Sequence, residues 1–161
     1  MVFRLVEEMM SFTFKQVTWR EKRNELKQVR EKVFVYEYHI PKDVEFDKCD
    51  LSCQHLLGFD HQGNSIATAR ITQQGEIGRV AVLQAYRTHE FYNLMFEQIA
   101  LCAKELGAEE LSFNCNIVEK EKFKRCGYAE QGNVFMEGGI ARQRLSCPLS
   151  RFDPKPFTLV H

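Results

Sequence analysis

The order of apolar and polar positions predicts short strands separated by a few helices. Residues 12–17 alternate between apolar and polar side chains, as a strand with one buried face does. Residues 18–38 follow the period of a helix, with an apolar stripe on one side. Thr18 followed by Glu21 predicts a capping box, so we expect this helix to begin at Thr18.

The remaining pattern predicts two further helices and a series of strands. Three strands are expected in succession, at 54–60, 65–71 and 76–83, with turn residues DHQGN between the first two. A helix follows at 91–106, with Gly107 at its C-terminal cap. We then expect a strand, a short helix ended by Gly127 and two closing strands around Gly138 and Gly139.

Two charged stretches have competing interpretations. The first helix carries basic residues outside its apolar stripe, which we interpret as a solvated face and not as a nucleic-acid surface: Arg20, Arg23, Lys27 and Arg30. The loop at 39–50 concentrates the carboxylates Glu45, Asp47 and Asp50. These carboxylates would attract a cationic substrate, but we favour a solvated loop.

Length and composition indicate one domain spanning 1–161, with a core at about 12–145 and an extended tail at 146–161 lying over the surface or a partner subunit. Lysine plus arginine equals aspartate plus glutamate, at 22 each, so we expect no nucleic-acid or membrane partner. The first residues do not resemble a signal peptide, and we expect a cytoplasmic protein.

The six cysteines are expected to be reduced thiols. Cys49, Cys53 and His55 stand close together in CDLSCQH, but a second ligand pair of the kind that zinc sites use does not follow. We therefore predict no metal site and place Cys53 and His55 on a strand.

The junction YRTHEFY, residues 86–92, joins a predicted strand to a predicted helix without a glycine. The first turn of a helix attracts anions because its N–H groups are unsatisfied. Here a carboxylate, Glu90, already stands at that position. We interpret Glu90 and Tyr92 as internal groups that occupy the place of a bound phosphate.

Several stretches together resemble the ElaA-like bacterial branch of the GNAT superfamily of N-acetyltransferases: VREKVFVYEYHIPKDVEFDKCD, HLLGFD, ATARI, IGRVAVLQAYR, CGY and GNVFMEGGI. The resemblance covers about 12–145. It implies an α+β, or mixed α/β, fold with a central, mostly antiparallel sheet that splays between its fourth and fifth strands and is flanked by helices.

The resemblance also implies a site for acetyl-CoA. Backbone groups at Val80, Ala81 and Val82 would pair with the pantetheine arm. The pyrophosphate loop of the family falls on Arg87, Thr88, His89, Glu90, Phe91 and Tyr92, where the arginine matches and both small positions are lost. The loop is therefore degenerate, and we expect the affinity for acetyl-CoA to be weak.

A second pattern of the family begins at Asn116, which we also assign to the cofactor site. The tyrosine that many members use to protonate the leaving thiolate is Phe123 here. A thiol leaves tolerably as thiolate, so this loss does not decide the question. The amine must lose a proton before it attacks, and the candidate bases are Glu37, Glu76 and His55.

The resemblance favours an acyl-CoA-dependent N-acyltransferase that transfers acetyl from acetyl-CoA to a small-molecule or peptide amine by direct attack. The alternative is a catalytically silent GNAT-like domain with an occluded CoA site that acts as a binding or interaction module. A weaker rival is an enzyme that uses Cys115 as a nucleophile. A homodimer is left open.

Overall fold

A computed structural model of the chain describes residues 11–157. Residues 1–10, which we expect not to form a signal peptide, and residues 158–161 of the expected tail lie outside the described part. Among the helices within 11–157, none has both the length and the apolar character that a membrane crossing requires.

Within residues 11–157, seven strands and four α-helices follow in the order that the sequence pattern predicts, except that one short helix lies in the predicted loop at 39–50. The strands are β1 Thr13–Thr18, β2 Gln54–Phe59, β3 Ser65–Ile71, β4 Glu76–Val82, β5 Glu110–Asn116, β6 Ala129–Glu137 and β7 Ile140–Pro148. The α-helices are α1 Trp19–Arg30, α2 Lys42–Glu45, α3 His89–Glu105 and α4 Lys120–Arg125. Short 3-10 turns lie at Lys48–Leu51, Gln84–Tyr86 and Leu149–Arg151.

The strands form one sheet in the order β1-β2-β3-β4-β5-β7-β6. Strands β1 and β2 are antiparallel, β7 pairs antiparallel with both β5 and β6, and β4 pairs in parallel with β5 through Glu76 to Ser112 and Ile77 to Phe113. The predicted mixed α/β fold, with a mostly antiparallel sheet and flanking helices, is confirmed.

The chain divides into two compact units. Within the described residues, the first unit comprises 11–70 and 79–86, and the second comprises 71–78 and 87–157. The division falls within β4, between Gly78 and Arg79. The call of one domain over 1–161 stays a prediction.

The first unit packs β1 and β2 against α1. Val17, Trp19, Leu26 and Leu57 form one buried cluster, and Phe46 packs against it. The predicted capping box is confirmed, since the Thr18 side chain accepts from the Glu21 N–H and the Glu21 carboxylate accepts from the Thr18 N–H. This cap fixes where α1 begins and so aligns its buried stripe with the sheet.

The predicted helix does not stay α-helical to Tyr38. After Arg30 it widens into a π-helix at Glu31–Glu37. The Tyr38 N–H donates to the Val33 carbonyl at 3.0 Å, a bond that spans five residues. Such segments are rare and occur often at functional sites.

The second unit has its core between α3 and the strands β5 and β7. The inward residues of α3 have helical spacing and are buried: Phe91, Tyr92, Met95, Phe96, Ile99, Cys102 and Ala103. Gly107 follows the helix with a φ of 84°, which confirms the predicted left-handed cap. Helix α3 begins at His89, two residues before the predicted start.

A further glycine allows β4 to begin beside β5. Gly75 has a φ of 87°, and a Cβ there would meet the Glu110 carbonyl oxygen. The Gly75 carbonyl accepts from the Ser112 N–H at 3.0 Å. A side chain at this position would push the two chain segments apart.

The predicted extended tail differs from the observed chain. Residues up to Pro148 belong to β7, and the 3-10 turn Leu149–Arg151 follows. Phe157 is buried, and its ring stacks on Phe96 with the centroids 3.8 Å apart. The tail therefore packs into the core of the second unit through this aromatic ring, where we expected it to lie over the surface or a partner subunit.

Candidate functional site

The π-helix lines an open pocket in the first unit. The pocket has a volume of about 330 Å³ and is bounded by Lys32, Val33, Tyr36, Glu37, Leu83 and Gln84. Val33 is buried against Ala81 of β4, with Leu83 packed beside them. Of the candidate bases, Glu37 lies at this pocket.

Strand β4 carries the residues expected to pair with pantetheine. Ala81 and Val82 are fully buried, and Val80 is partly buried. Arg79 immediately precedes them with a φ of 49°, an uncommon conformation for a residue with a side chain. Its guanidinium is held by the Glu45 carbonyl oxygen at 3.1 Å and by the Asp47 carboxylate at 3.0 Å.

The junction before α3 is capped by its own threonine. The Thr88 hydroxyl accepts from the Phe91 N–H at 3.2 Å, and the Thr88 carbonyl accepts from the Tyr92 N–H at 3.1 Å. His89 and Glu90 are exposed in the first turn. Arg87 is half-buried just before the cap.

The expected roles of Phe91 and Tyr92 need correction. Both side chains are buried in the core, 0% and 2% exposed, and their ring centroids lie 6.4 Å apart. The consecutive positions 91 and 92 both lie on the buried face of α3, so these rings do not cover the helix end. Of the two residues expected to replace a phosphate, Glu90 is exposed and Tyr92 is a core residue.

Asn116 supports a local turn at the end of β5. Its side-chain oxygen accepts from the Val118 N–H at 3.1 Å, and its carbonyl accepts from the Glu119 N–H at 2.9 Å. These bonds give the side chain a structural role as a turn former.

Phe123 belongs to an aromatic cluster in the second unit. Its ring lies 4.9 Å from Phe113, 5.4 Å from Tyr128 and 4.9 Å from Phe157, measured between centroids. It is 6% exposed. The side chain thus packs the core and has no proton to donate.

His55 is a buried histidine of β2 and is unsuited to the role of a base. It has no exposed surface, and its Nε2 lies 2.8 Å from the Asp50 carbonyl oxygen, to which it donates as the Nε2–H tautomer. Nδ1 has no hydrogen-bond partner among the described residues. Burial lowers the pKa of His55, so the ring stays neutral.

Glu76 forms an ion pair with Arg144 in the second unit. Its carboxylate lies 3.6 Å from the Arg144 guanidinium, and both side chains are partly exposed. Its backbone N–H donates to the Thr72 hydroxyl at 3.0 Å, which fixes the start of β4. Glu76 and Arg144 therefore form an ion pair at the start of β4.

The cysteines near candidate chemistry are not activated. Cys115 is buried, its thiol donates to the Asn116 carbonyl, and burial raises its pKa to about 11. The reactive form of cysteine is the thiolate, so the rival nucleophile is excluded by this environment. Cys53 is buried immediately before β2 and Cys49 is exposed.

Arg20 and Arg23 are exposed, as the solvated-face interpretation predicts. That interpretation is wrong for Arg30, and the solvated-loop interpretation is wrong for Glu45 and Asp50. Arg30 is fully buried: its Nε donates to Glu45 at 2.7 Å and its Nη1 donates to Asp50 at 2.7 Å. Arg70 bonds Asp47 and Asp50 from the other side, at 2.7 and 3.1 Å. Together with Arg79, these side chains form an ionic network that fixes the loop at 39–51, where we expected a solvated face and a solvated loop.

The two buried carboxylates of this network titrate differently. Burial raises the pKa of Glu45, and Arg30 and Arg79 offset the rise only in part. Burial is also the largest single effect on Asp50, but hydrogen bonds and the charges of Arg30 and Arg70 together outweigh it and lower the pKa. Asp50 is therefore the carboxylate of the network that keeps its negative charge more readily than Glu45 does.

Comparison with known proteins shows which solved structures this chain is similar to. No protein-family model matches the chain. The structure of an acyl-CoA N-acyltransferase from Pseudomonas aeruginosa is similar, at 26% identity and a TM-score of 0.69, and the match covers 85% of this chain and 98% of that one. Escherichia coli ElaA matches at 21% identity and a TM-score of 0.68, over 84% of this chain and 99% of ElaA.

The chain has the GNAT fold. The resemblance to GNAT N-acetyltransferases, ElaA among them, is confirmed. A relative in Bacillus subtilis, the uncharacterised N-acetyltransferase YjcF, is 24% identical over 116 residues, which are 70% of this chain and 82% of YjcF. A GNAT fold of this kind supports acyl-CoA-dependent N-acyltransferase activity in general.

Several residues that line the pocket were not singled out by sequence reasoning. The pocket is lined by four such residues: Lys32, Tyr36, Leu83 and Gln84. Lys32 and Tyr36 lie on the π-helix, which we expected to be an α-helix. A signal was available in VFVYEY, since aromatic and β-branched residues follow closely there and fit an α-helix less well than the preceding residues do.

Proposed function

We propose that this chain is an N-acyltransferase that transfers acetyl from acetyl-CoA to an amine by direct attack. The observation that carries the proposal is the GNAT fold, shared along 85% of the chain with an acyl-CoA N-acyltransferase. The pocket beside β4 supports it, because it brings Glu37 to a cavity lined by apolar side chains.

The cofactor would meet two parts of the chain. The backbone of Val80–Val82 pairs with the pantetheine arm in the manner of an added strand. The α3 N-terminus, with Arg87, receives the pyrophosphate. Glu90 stands exposed in the first turn and opposes that anion, so the affinity is weak.

Glu37 is the residue we assign as base. His55 is fully buried, whereas Glu37 lines the open pocket beside β4. Glu37 would take a proton from the ammonium group, directly or through water. The amine nitrogen then attacks the thioester carbonyl, the C–S bond breaks, and CoA leaves as thiolate without help from the Phe123 position.

The assignment can be tested by following acetylated product by mass spectrometry, with acetyl-CoA and a panel of small amines and peptides. We expect product formation in step with CoA release. Glu37→Gln should lower turnover by about 10² to 10⁴-fold, the range of a lost general base. Glu97→Gln, an exposed glutamate on α3, is the matched control.

The second candidate is a silent GNAT-like domain that binds a partner or another ligand. The observation that favours it is the junction before α3, where glycine is lacking and Glu90 is exposed in the first turn. Unchanged acetyl-CoA after long incubation with every amine would favour this candidate over the enzyme.

A further inference from the structure

Strand β4 contains one residue more than the neighbouring strand β3. At one end of this hairpin the Thr72 N–H donates to the Glu76 carbonyl at 3.0 Å, and at the other the Leu83 N–H donates to the Ile66 carbonyl at 2.9 Å. Between these two bonds the chain takes six steps along β3 and seven along β4. An extra residue on one strand is a β-bulge, and Arg79 marks it with a φ of 49°.

The left-handed conformation of Arg79 is held from two sides. Its Nε donates to the Glu45 carbonyl at 3.1 Å, and its Nη2 donates to the Asp47 carboxylate at 3.0 Å. The buried Thr68 hydroxyl donates to the Arg79 carbonyl at 3.3 Å. A residue with a Cβ keeps such a conformation only where the surrounding structure fixes it. These three bonds therefore stabilise the bulge.

The bond from Thr68 also orients the peptide group that joins Arg79 to Val80. A trans peptide is planar, and its C=O and N–H point in opposite directions. Because the Arg79 carbonyl accepts from Thr68, the Val80 N–H points away from Thr68. Val80 is the first residue of the β4 stretch that we assign to the pantetheine arm, so the bulge determines the direction of a donor at that stretch.

The two residues that hold the Arg79 guanidinium are themselves fixed by other arginines. Arg30 is fully buried and donates to the Glu45 carboxylate at 2.7 Å, and Arg70 donates to the Asp47 carboxylate at 2.7 Å. Glu45 and Asp47 thus form a fixed support for the guanidinium. Thermal motion of a long, partly exposed side chain is restricted by such charge-assisted bonds.

We propose that Arg79 is a positioning residue for acyl-CoA, an inference that rests on the proposed N-acyltransferase function. Its guanidinium, bound to Glu45 and Asp47, keeps the bulge in the left-handed conformation and so directs the Val80 N–H towards the pantetheine arm. Arg79 does not touch the cofactor itself. The ionic network of the first unit then contributes to cofactor binding through the shape of the β4 backbone.

Two substitutions of Arg79 separate the shape of the backbone from the charge of the guanidinium. Arg79→Ala and Arg79→Gly both remove the guanidinium, but glycine adopts a positive φ without a steric penalty. We expect Arg79→Ala to raise the dissociation constant of acetyl-CoA by about two- to tenfold, the effect of one lost hydrogen bond, and Arg79→Gly to raise it less. Calorimetric titration measures both, and Arg20→Ala, at an exposed arginine of α1, is the control.

The variant Asp47→Asn tests the same contact while Arg79 stays in place. Loss of the charge that holds the guanidinium should raise the dissociation constant of acetyl-CoA, in the same direction as Arg79→Ala. If Arg79 instead bound a phosphate of the cofactor, removal of the competing carboxylate would lower that constant. A lower constant in Asp47→Asn therefore overturns the proposal. Asp43→Asn, at an exposed position of α2, removes an equal charge and should change nothing.

The nucleotide half of CoA, which lacks the pantetheine arm, separates positioning from a general loss of structure. Its dissociation constant, measured by NMR titration, should agree within about twofold between the native protein and Arg79→Ala. Equal weakening of nucleotide and acetyl-CoA, equal weakening in the alanine and glycine variants, or no weakening in either overturns the role of Arg79 and leaves the proposed transferase intact. A native protein that does not bind acetyl-CoA contradicts the proposed function and this inference together.

Discussion

At the residue scale, the buried Arg30 decides how the first unit is built. A fully desolvated guanidinium is costly, and the cost is offset here by Glu45 and Asp50 at 2.7 Å each. The ring of Trp19 adds a cation–π contact at 5.4 Å. The loop at 39–51 is thus held by charge pairs in addition to the packing of Phe46 against the apolar cluster.

Removal of Arg30 should destabilise the protein strongly. Arg30→Met keeps the length of the side chain but leaves two carboxylates buried without their cation, at a cost of about 3 to 5 kcal/mol. Arg23→Met, at an exposed position of the same helix, should stay within about 0.5 kcal/mol. Urea unfolding followed by the fluorescence of the single tryptophan, Trp19, measures both. Equal stability of the two variants would contradict the network.

His55 should make stability depend on pH. Burial lowers its pKa in the folded protein, whereas the unfolded chain takes a proton near pH 6.5. Below that pH the unfolded state binds more protons, so the free energy of unfolding falls as pH falls, by up to about 1.4 kcal/mol per pH unit. This contribution is fully present above the unfolded pKa.

The variant His55→Gln isolates this contribution. Glutamine keeps an N–H donor for the Asp50 carbonyl but does not titrate. Urea unfolding at pH 7.5 and pH 5.5 should show a smaller loss of stability in the variant than in the native protein. An identical pH dependence in both would show that the histidine does not stay neutral in the folded state.

At the element scale, the N-terminus of α3 combines a threonine cap with an exposed carboxylate. Thr88 accounts for one N–H of the first turn, and Glu90 stabilises the helix end by about 0.3 to 1 kcal/mol. The same charge opposes a phosphate. Because Tyr92 is buried, the obstacle to CoA that we propose at this element is the charge of Glu90 and not the bulk of Tyr92.

Glu90→Gln should strengthen the binding of acetyl-CoA by severalfold while the helix loses part of its terminal stabilisation. The gain should shrink at high salt, because exposed charges are screened. Calorimetric titration at two salt concentrations measures it, with Glu97→Gln, farther along the same helix, as the control. An affinity within about twofold of the native protein would remove Glu90 from the account of this junction.

Local signals explain which elements could be predicted from the sequence. The structure confirms three predictions that depend on a few neighbouring residues. They are the capping box of Thr18 and Glu21, the left-handed cap at Gly107 after α3, and the strand β1. The π-helix could be predicted only in part: VFVYEY indicates a poor fit to an α-helix, but the packing of Val33 against Ala81 of a distant strand is not visible in the local pattern.

Long-range pairing explains what was missed. Arg30 looks solvated in the sequence because its partners stand 15 and 20 residues away, and an isolated arginine is rarely buried. Phe157 was expected in a surface tail because the prolines near it in the sequence do not indicate that its ring stacks on Phe96. The candidate bases were chosen by expected place, and the structure then separates His55, which is fully buried, from Glu37, which lines the open pocket.

At the scale of the whole molecule, the GNAT fold connects these observations to a function. The fold makes acyl-CoA the expected co-substrate, the π-helix lines a pocket with Glu37, and we propose that the junction before α3 weakens the binding of the cofactor. An enzyme of this design would trade cofactor affinity for a helix end that is stable without a ligand.

Calorimetric titration of the native protein with acetyl-CoA tests the central claim most directly. The account predicts saturable binding that free CoA competes away, with a dissociation constant between about 10 µM and 1 mM, or about −7 to −4 kcal/mol. A constant in the low micromolar range or tighter would contradict the role given to Glu90. The lack of any binding at millimolar acetyl-CoA would contradict the assignment as an acyl-CoA-dependent transferase.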